Sequence, residues 1–129
     1  MKAQLSIALA AMLAAAPAFA QSTVSLLGTW TGQRERIARV EGYRTGLATL
    51  VITEQKGNTF VGHLKRTNAT GDEDEGLWGA FTPDAHLMMG ADEEGTYMFS
   101  LVDTDTLDYC YSESGKGARA VCGRLKRQR

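Results

Sequence analysis

The sequence predicts an all-β protein, a small up-and-down antiparallel β-barrel of about eight strands with one cross-strand disulfide. Three observations point there. Short apolar alternations recur at roughly ten-residue spacing between turn clusters, the pattern of barrels and sandwiches. No stretch carries a convincing helical period. The two cysteines, Cys110 and Cys122, flank a Gly-rich turn at hairpin distance.

Residues 1–20 read as a secretory signal peptide. Met1 and Lys2 form a short positive start, Leu5 to Ala16 is apolar apart from Ser6, and Ala18-Phe19-Ala20 has the small-x-small form of a cleavage site. The apolar run is shorter than the ~20 residues a spanning helix needs, so the protein is expected in the periplasm or the medium and not as a membrane-spanning chain. Residues 21–129 then form a single domain. Removing Lys2 leaves 13 basic residues against 15 acidic ones, a net charge near −2, which argues against a nucleic-acid partner.

Strands are expected at 26–32, 46–54, 59–66, 76–82, 86–91, 95–103, 106–112 and 118–125. Hairpin turns fall at Lys56-Gly57-Asn58, Pro83-Asp84 and Asp103-Thr104-Asp105. Eight sequential strands close most simply into a barrel, which removes exposed sheet edges. Alternation puts Phe60, Leu64, Leu77, Phe81, Tyr97, Phe99, Leu101, Leu107, Tyr109 and Tyr111 inside. Such a barrel is wide enough to be filled by side chains or to hold one small ligand, and alternation leaves both open. The same alternation turns Trp78 outward, with Val51, Val61, Met98 and Val102 on that wall. The resulting patch could be covered by a second copy, giving a homodimer through Trp78 and Met98. The opposite register would bury Trp78 and expose Leu77.

The cysteine hairpin has one self-consistent register. Pairing Cys110 with Cys122 sets Tyr111 against Val121, Ser112 against Ala120 and Glu113 against Arg119, around Gly115-Lys116-Gly117. A phosphate loop would need another glycine at position 110 and Ser or Thr after Lys116. Zinc would need four suitably spaced ligands, and a redox motif would be C-x-x-C. A disulfide is the expectation.

In a meander, connections alternate between the barrel ends. Residues 33–45, 67–75, 92–94 and 113–117 are therefore expected as charged loops around one mouth, opposite a pinched end that carries both termini. The longest of these loops gathers Arg34, Arg36, Arg39, Tyr43 and Arg44, a set suited to gripping a carboxylate or phosphate by bidentate hydrogen bonds. Pairing with Glu35, Glu41 and the neighbouring acidic loops is the alternative use of those arginines.

Gly28-Thr29-Trp30 on the first strand resembles the G-x-W of the calycin superfamily, which includes lipocalins, fatty-acid-binding proteins and avidins. The resemblance implies that Trp30 sits at the closed end against a basic residue of the last strand, Arg124 or Arg127. The residues after Trp30 do not reproduce the polar biotin contacts of avidins. Small periplasmic inhibitors of secreted metalloproteases, also single-disulfide barrels with G-x-W, are a second resemblance, although their bridge lies nearer the N-terminus.

Catalytic machinery is not visible. His63 and His86 neighbour no nucleophile motif, and the acidic run Asp72–Glu75 lacks the ligands a calcium loop needs at its fifth and twelfth positions. No metal or cofactor is expected. The sequence therefore reads as an exported, non-enzymatic binding barrel for an unidentified small anionic or amphipathic molecule at the charged mouth. The alternatives are a protein-interaction module, such as a protease inhibitor or envelope partner, and a purely structural barrel.

Overall fold

The computed structural model describes residues 24–68 and 71–129; the expected signal peptide lies outside them. Every regular element among the described residues is a strand: β1 (Gly28–Ala38), β2 (Gly42–Lys56), β3 (Thr59–Asn68), β4 (Gly71–Phe81), β5 (Met88–Ala91), β6 (Thr96–Asp103), β7 (Thr106–Glu113) and β8 (Arg119–Arg127). Each pairs antiparallel with the next, and β8 returns to β1 to close the barrel. No helix among the described residues is long and apolar enough to cross a membrane.

Alternation builds the core. The expected interior residues Phe60, Leu64, Leu77, Phe81, Tyr97, Phe99, Leu107, Tyr109 and Tyr111 are buried together with Leu26, Trp30, Leu50, Ile52, Met88, Val121 and Leu125, and Leu101 is partly buried against them. Tyr97 is central to the aromatic part, with ring centroids 5.7 Å from Phe99 and 4.6 Å from Tyr111. Phe60 meets Phe99 edge-on at 5.8 Å and lies nearly parallel to Phe81 at 6.4 Å. Offset and edge arrangements of this kind stabilise a core beyond the area they bury. Side chains fill this part of the bore.

The cysteine hairpin has the expected register. Cys110 faces Cys122 and forms the disulfide, with Tyr111 opposite Val121 and Glu113 opposite Arg119. Gly115 takes a positive φ of 88° in the turn, a conformation that costs glycine little.

Two segments differ from the sequence reading. Residues 33–44 are not a loop: β1 runs to Ala38, β2 begins at Gly42, and Ile37 pairs with Tyr43 across a tight turn. Much of 67–75 is also strand, since Asn68 pairs with Gly71 and Glu73 with Arg66. The period of two persists here, but its inward positions hold arginine, so apolar alternation fails to reveal it. The mouth is a rim of extended hairpins.

Candidate functional site

The pinched end is held by one arginine. Trp30 is fully buried and donates its indole N–H to the Leu26 carbonyl at 2.9 Å. The guanidinium of Arg127 stacks 4.0 Å from the Trp30 ring centre. Arg127 also donates to the carbonyls of Leu27, Ser25 and Thr104, at 2.5, 2.8 and 3.2 Å. Gln55 ties down the same segment through Val24 and Leu26. Of the two basic residues that the G-x-W resemblance offers as the partner of Trp30, Arg127 fills the place. Arg124 lies out of phase with it on β8, faces outward, and forms a bidentate pair with Asp108 at 2.7 and 2.8 Å. That pair holds the Asp108 carboxyl below its ordinary range.

The open end is lined by cations. Arg34 and Arg36 continue the inward phase of Trp30 along β1, and Arg66 continues that of Leu64 along β3. Their exposures are only 2, 7 and 5 %. Arg34 sits in a space kept by two glycines. A Cβ at Gly46 on β2 would stand 3.3 Å from its Nη2, and one at Gly123 on β8 would stand 3.2 Å from its Cβ. Beyond Gly123 lies Tyr109, whose Cε1 would be 2.9 Å from that same added Cβ. The pairing Arg34–Gly123–Tyr109 therefore brings the guanidinium and the phenol together inside the barrel.

The charges in this cup are unevenly paired. Arg36 meets Glu41 at 2.5 Å, and Arg66 meets Glu73 at 3.3 Å and Glu75 more closely. Arg34 has no carboxylate within ion-pair distance among the described residues, only a long hydrogen bond of 3.4 Å to the Leu47 carbonyl. Its Nη1 is buried and unpartnered, as are Nε of Arg36, Nε of Arg66 and the Tyr109 hydroxyl. Burial lowers the affinity of Arg34 for its proton, and the like charges of Arg36 and Arg66 add to this. Burial also lowers that of Arg66, but Glu75 and Glu73 outweigh it and the net shift is upward. Burial pushes the Tyr109 hydroxyl up to about 12.

Carboxylates and tyrosines line the facing side. Asp92 accepts hydrogen bonds from the backbone of Glu94 and Gly95, at 2.9 and 2.7 Å, and from the Tyr97 hydroxyl at 3.0 Å. Burial opposes ionisation of Asp92, but these donors hold its carboxyl below the ordinary range. Tyr111 donates to Glu113 at 2.7 Å. Glu75 is raised by burial, against the pull of Arg66, and by the neighbouring Asp92 and Glu94. Its Oε2 is buried without a donor, and a proton on either carboxyl would be held between Glu75 and Asp92.

Of the five mouth residues singled out in the sequence, Arg34 and Arg36 are buried in this cup. Arg44, directly opposite Arg36 on β2, shares its inward phase but is exposed at the rim, and Arg39 lies in the β1–β2 turn. Tyr43 points outward and donates to Glu35 at 3.3 Å. Sequence reasoning misses Arg66 and the Tyr109 hydroxyl as site residues. Continuing the Phe60–Leu64 phase by two residues finds Arg66. On the outer wall Trp78 and Met98 are 57 and 59 % exposed. Met89, also exposed, pairs directly with Met98, and Val61 and Ala91 flank Trp78. A cleft of about 220 Å³ lies beside Trp78, lined by Asp74, Glu75, Gly76, Asp92, Glu93 and Glu94.

No protein-family model and no curated protein matches the sequence. Solved structures do match the fold. A redesigned β-barrel superposes with a TM-score of 0.55 at 18 % identity, covering 84 % of this chain and 99 % of its own. The siderocalin Ex-FABP gives 0.54 at 10 % identity, covering 79 and 73 %. The S-type phycobiliprotein lyase CPES of Guillardia theta gives 0.56 at 9 % identity, covering 81 and 89 %. At such identities the likeness concerns architecture alone: the chain has a calycin-like fold, an eight-stranded closed barrel with Trp30 at its pinched end.

Proposed function

We propose that this protein is an exported, non-enzymatic binding barrel that takes a small anionic molecule at its open end. The observation that carries this reading is Arg34, a buried guanidinium with no carboxylate partner among the described residues and an unused donor at Nη1. Leaving a charge buried and unpaired is costly, and an anionic ligand removes that cost where a filled structural barrel would not. Arg36, Arg66 and Tyr109 add unused donors around it. Barrels of this architecture include a siderocalin described as having dual ligand specificities, which supports a binding role. Export is supported by the apolar leader and by the disulfide, which persists in an oxidising compartment.

A second reading, a protein-interaction wall, is favoured by Trp78, Met89 and Met98, which expose apolar surface on adjoining strands; a second copy of the chain is the simplest cover. Native mass spectrometry of protein purified from its own host separates the two. A co-purifying anion, absent from the Arg34→Met variant, is the expected result. A bare dimer that Trp78→Glu converts to monomer would favour the second reading instead.

A further inference from the structure

If the arginine cup binds an anion, as proposed, the pairing of its charges also limits which anion it takes. The cup is already partly occupied by the chain's own carboxylates. Glu41 sits on Arg36, and Glu73 and Glu75 sit on Arg66. The two sides of these pairs differ. The arginines are held in the bore, whereas the Glu41 and Glu73 side chains are about half exposed, at 45 and 58 %; Glu75, at 29 %, is the most confined of these carboxylates. An exposed carboxylate can turn out to water at little cost, while a buried guanidinium has no such alternative. Each arginine also keeps one buried nitrogen without an acceptor, so the rim carboxylates satisfy the cup incompletely.

Below the cup there is packing where a chain-like ligand would have to lie. Tyr97 stacks on Phe99 and tilts against Tyr111, and Leu64 and Leu77 are buried in the same core. An anion entering from the rim therefore meets guanidinium groups at once and aromatic side chains immediately behind them. A monocarboxylate that displaced Glu75 would exchange one ion pair for its equal. An anion of charge −2 or more can engage Arg66 and the unpaired Arg34 together, and so gains what the glutamate lacks.

We infer that the ligand is a compact, multiply charged oxyanion that enters by displacing Glu73 and Glu75 from Arg66 and is anchored on Arg34, so that the acidic rim is its built-in competitor. The ligand's oxygens take the unused N–H groups of Arg34, Arg36 and Arg66 and the hydroxyl of Tyr109. The rim then acts as a selectivity filter, rejecting anions too weakly charged to outbid the protein's own side chains.

Isothermal titration of the purified protein at low ionic strength, with sulfate, citrate and decanoate as probes, tests this. Citrate and sulfate should bind, and decanoate at least tenfold more weakly. The double variant Glu73→Gln/Glu75→Gln should bind citrate at least tenfold more tightly than wild type. Arg34→Met should lose at least tenfold in citrate affinity with an unchanged circular dichroism spectrum. Should that variant fail to fold, Arg34→Lys, which keeps the charge but not the fork, should show a smaller loss. Decanoate binding more tightly than citrate, or citrate affinity unmoved by the double glutamine variant, overturns the compact-oxyanion inference and leaves anion binding standing. Absence of binding by all three probes, to wild type and to the glutamine variant alike, overturns anion binding itself.

Discussion

Arg127 and Arg34 occupy equivalent inward positions at opposite ends of the barrel, and their surroundings give them opposite roles. Arg127 has an indole face and three carbonyls, so its donors are used and its charge is spread over fixed acceptors. That is a structural clamp. Replacing it with alanine removes a cation–π contact and several hydrogen bonds to a charged donor, which together are expected to cost about 2–4 kcal/mol. Chemical denaturation should report that loss, and tryptophan emission should shift red as Trp30 gains solvent. An unchanged midpoint would reject the clamp. The G-x-W makes Trp30 legible in the sequence and narrows its partner to Arg124 or Arg127. Choosing between them needs the phase of β8, in which Leu125 and Arg127 face inward and Arg124 does not. Arg34 is legible as a candidate anion contact, but its burial is not, because no residue-level rule places an arginine in a barrel core.

At the scale of elements, the β7–β8 hairpin is the most legible part of the molecule. Turn glycines and cysteine spacing specify one register independently, and agreement between two local signals leaves little to tertiary context. The β1–β2 hairpin is hidden for the opposite reason. Its inward positions, Arg34 and Arg36, break the apolar alternation that marks a strand, and Gly42 suggests a loop where the chain makes a turn at φ 69°. The disulfide joins strands that already pair along their length, so it constrains an unfolded chain only by closing a short loop. Cys110→Ser is therefore expected to lower stability by about 1–3 kcal/mol while leaving the barrel's circular dichroism intact. Two reactive thiols in the unfolded, unreduced protein would show that the bridge does not form.

Across the whole molecule, packing is graded from end to end. The pinched end and the middle are filled by apolar and aromatic side chains, and the open end is a layer of arginines facing tyrosines and carboxylates. Strand alternation makes the apolar part legible, but the polar layer is a property of eight strands together and no single segment declares it. That layer links ligand binding to pH. Glu75 holds its proton more tightly than an ordinary glutamate because it is buried and lies beside Asp92 and Glu94, whereas Asp92 stays ionised below the usual range. An anion taking the place of Glu75 on Arg66 removes the attraction of Arg66 for the ionised Glu75 and adds a negative charge beside it, so a Glu75 that stays buried next to Asp92 and Glu94 holds its proton more tightly in the complex. By linkage, affinity rises as pH falls from neutral, and the rise begins above the ordinary glutamate range because Glu75 takes up its proton early. Sulfate is the suitable probe, because its charge is constant over this range. At 100 times its Kd it should stabilise the fold by about 2.7 kcal/mol, a Tm rise of roughly 10–20 °C for a domain of this size. At a fixed subsaturating sulfate concentration, the rise should grow as the pH is lowered. Glu75→Gln should flatten that dependence, while His63→Gln, on the outer face beside Asp74, should leave it unchanged. A shift that is flat with pH in the wild type, or that moves with His63 instead, would separate anion binding from Glu75.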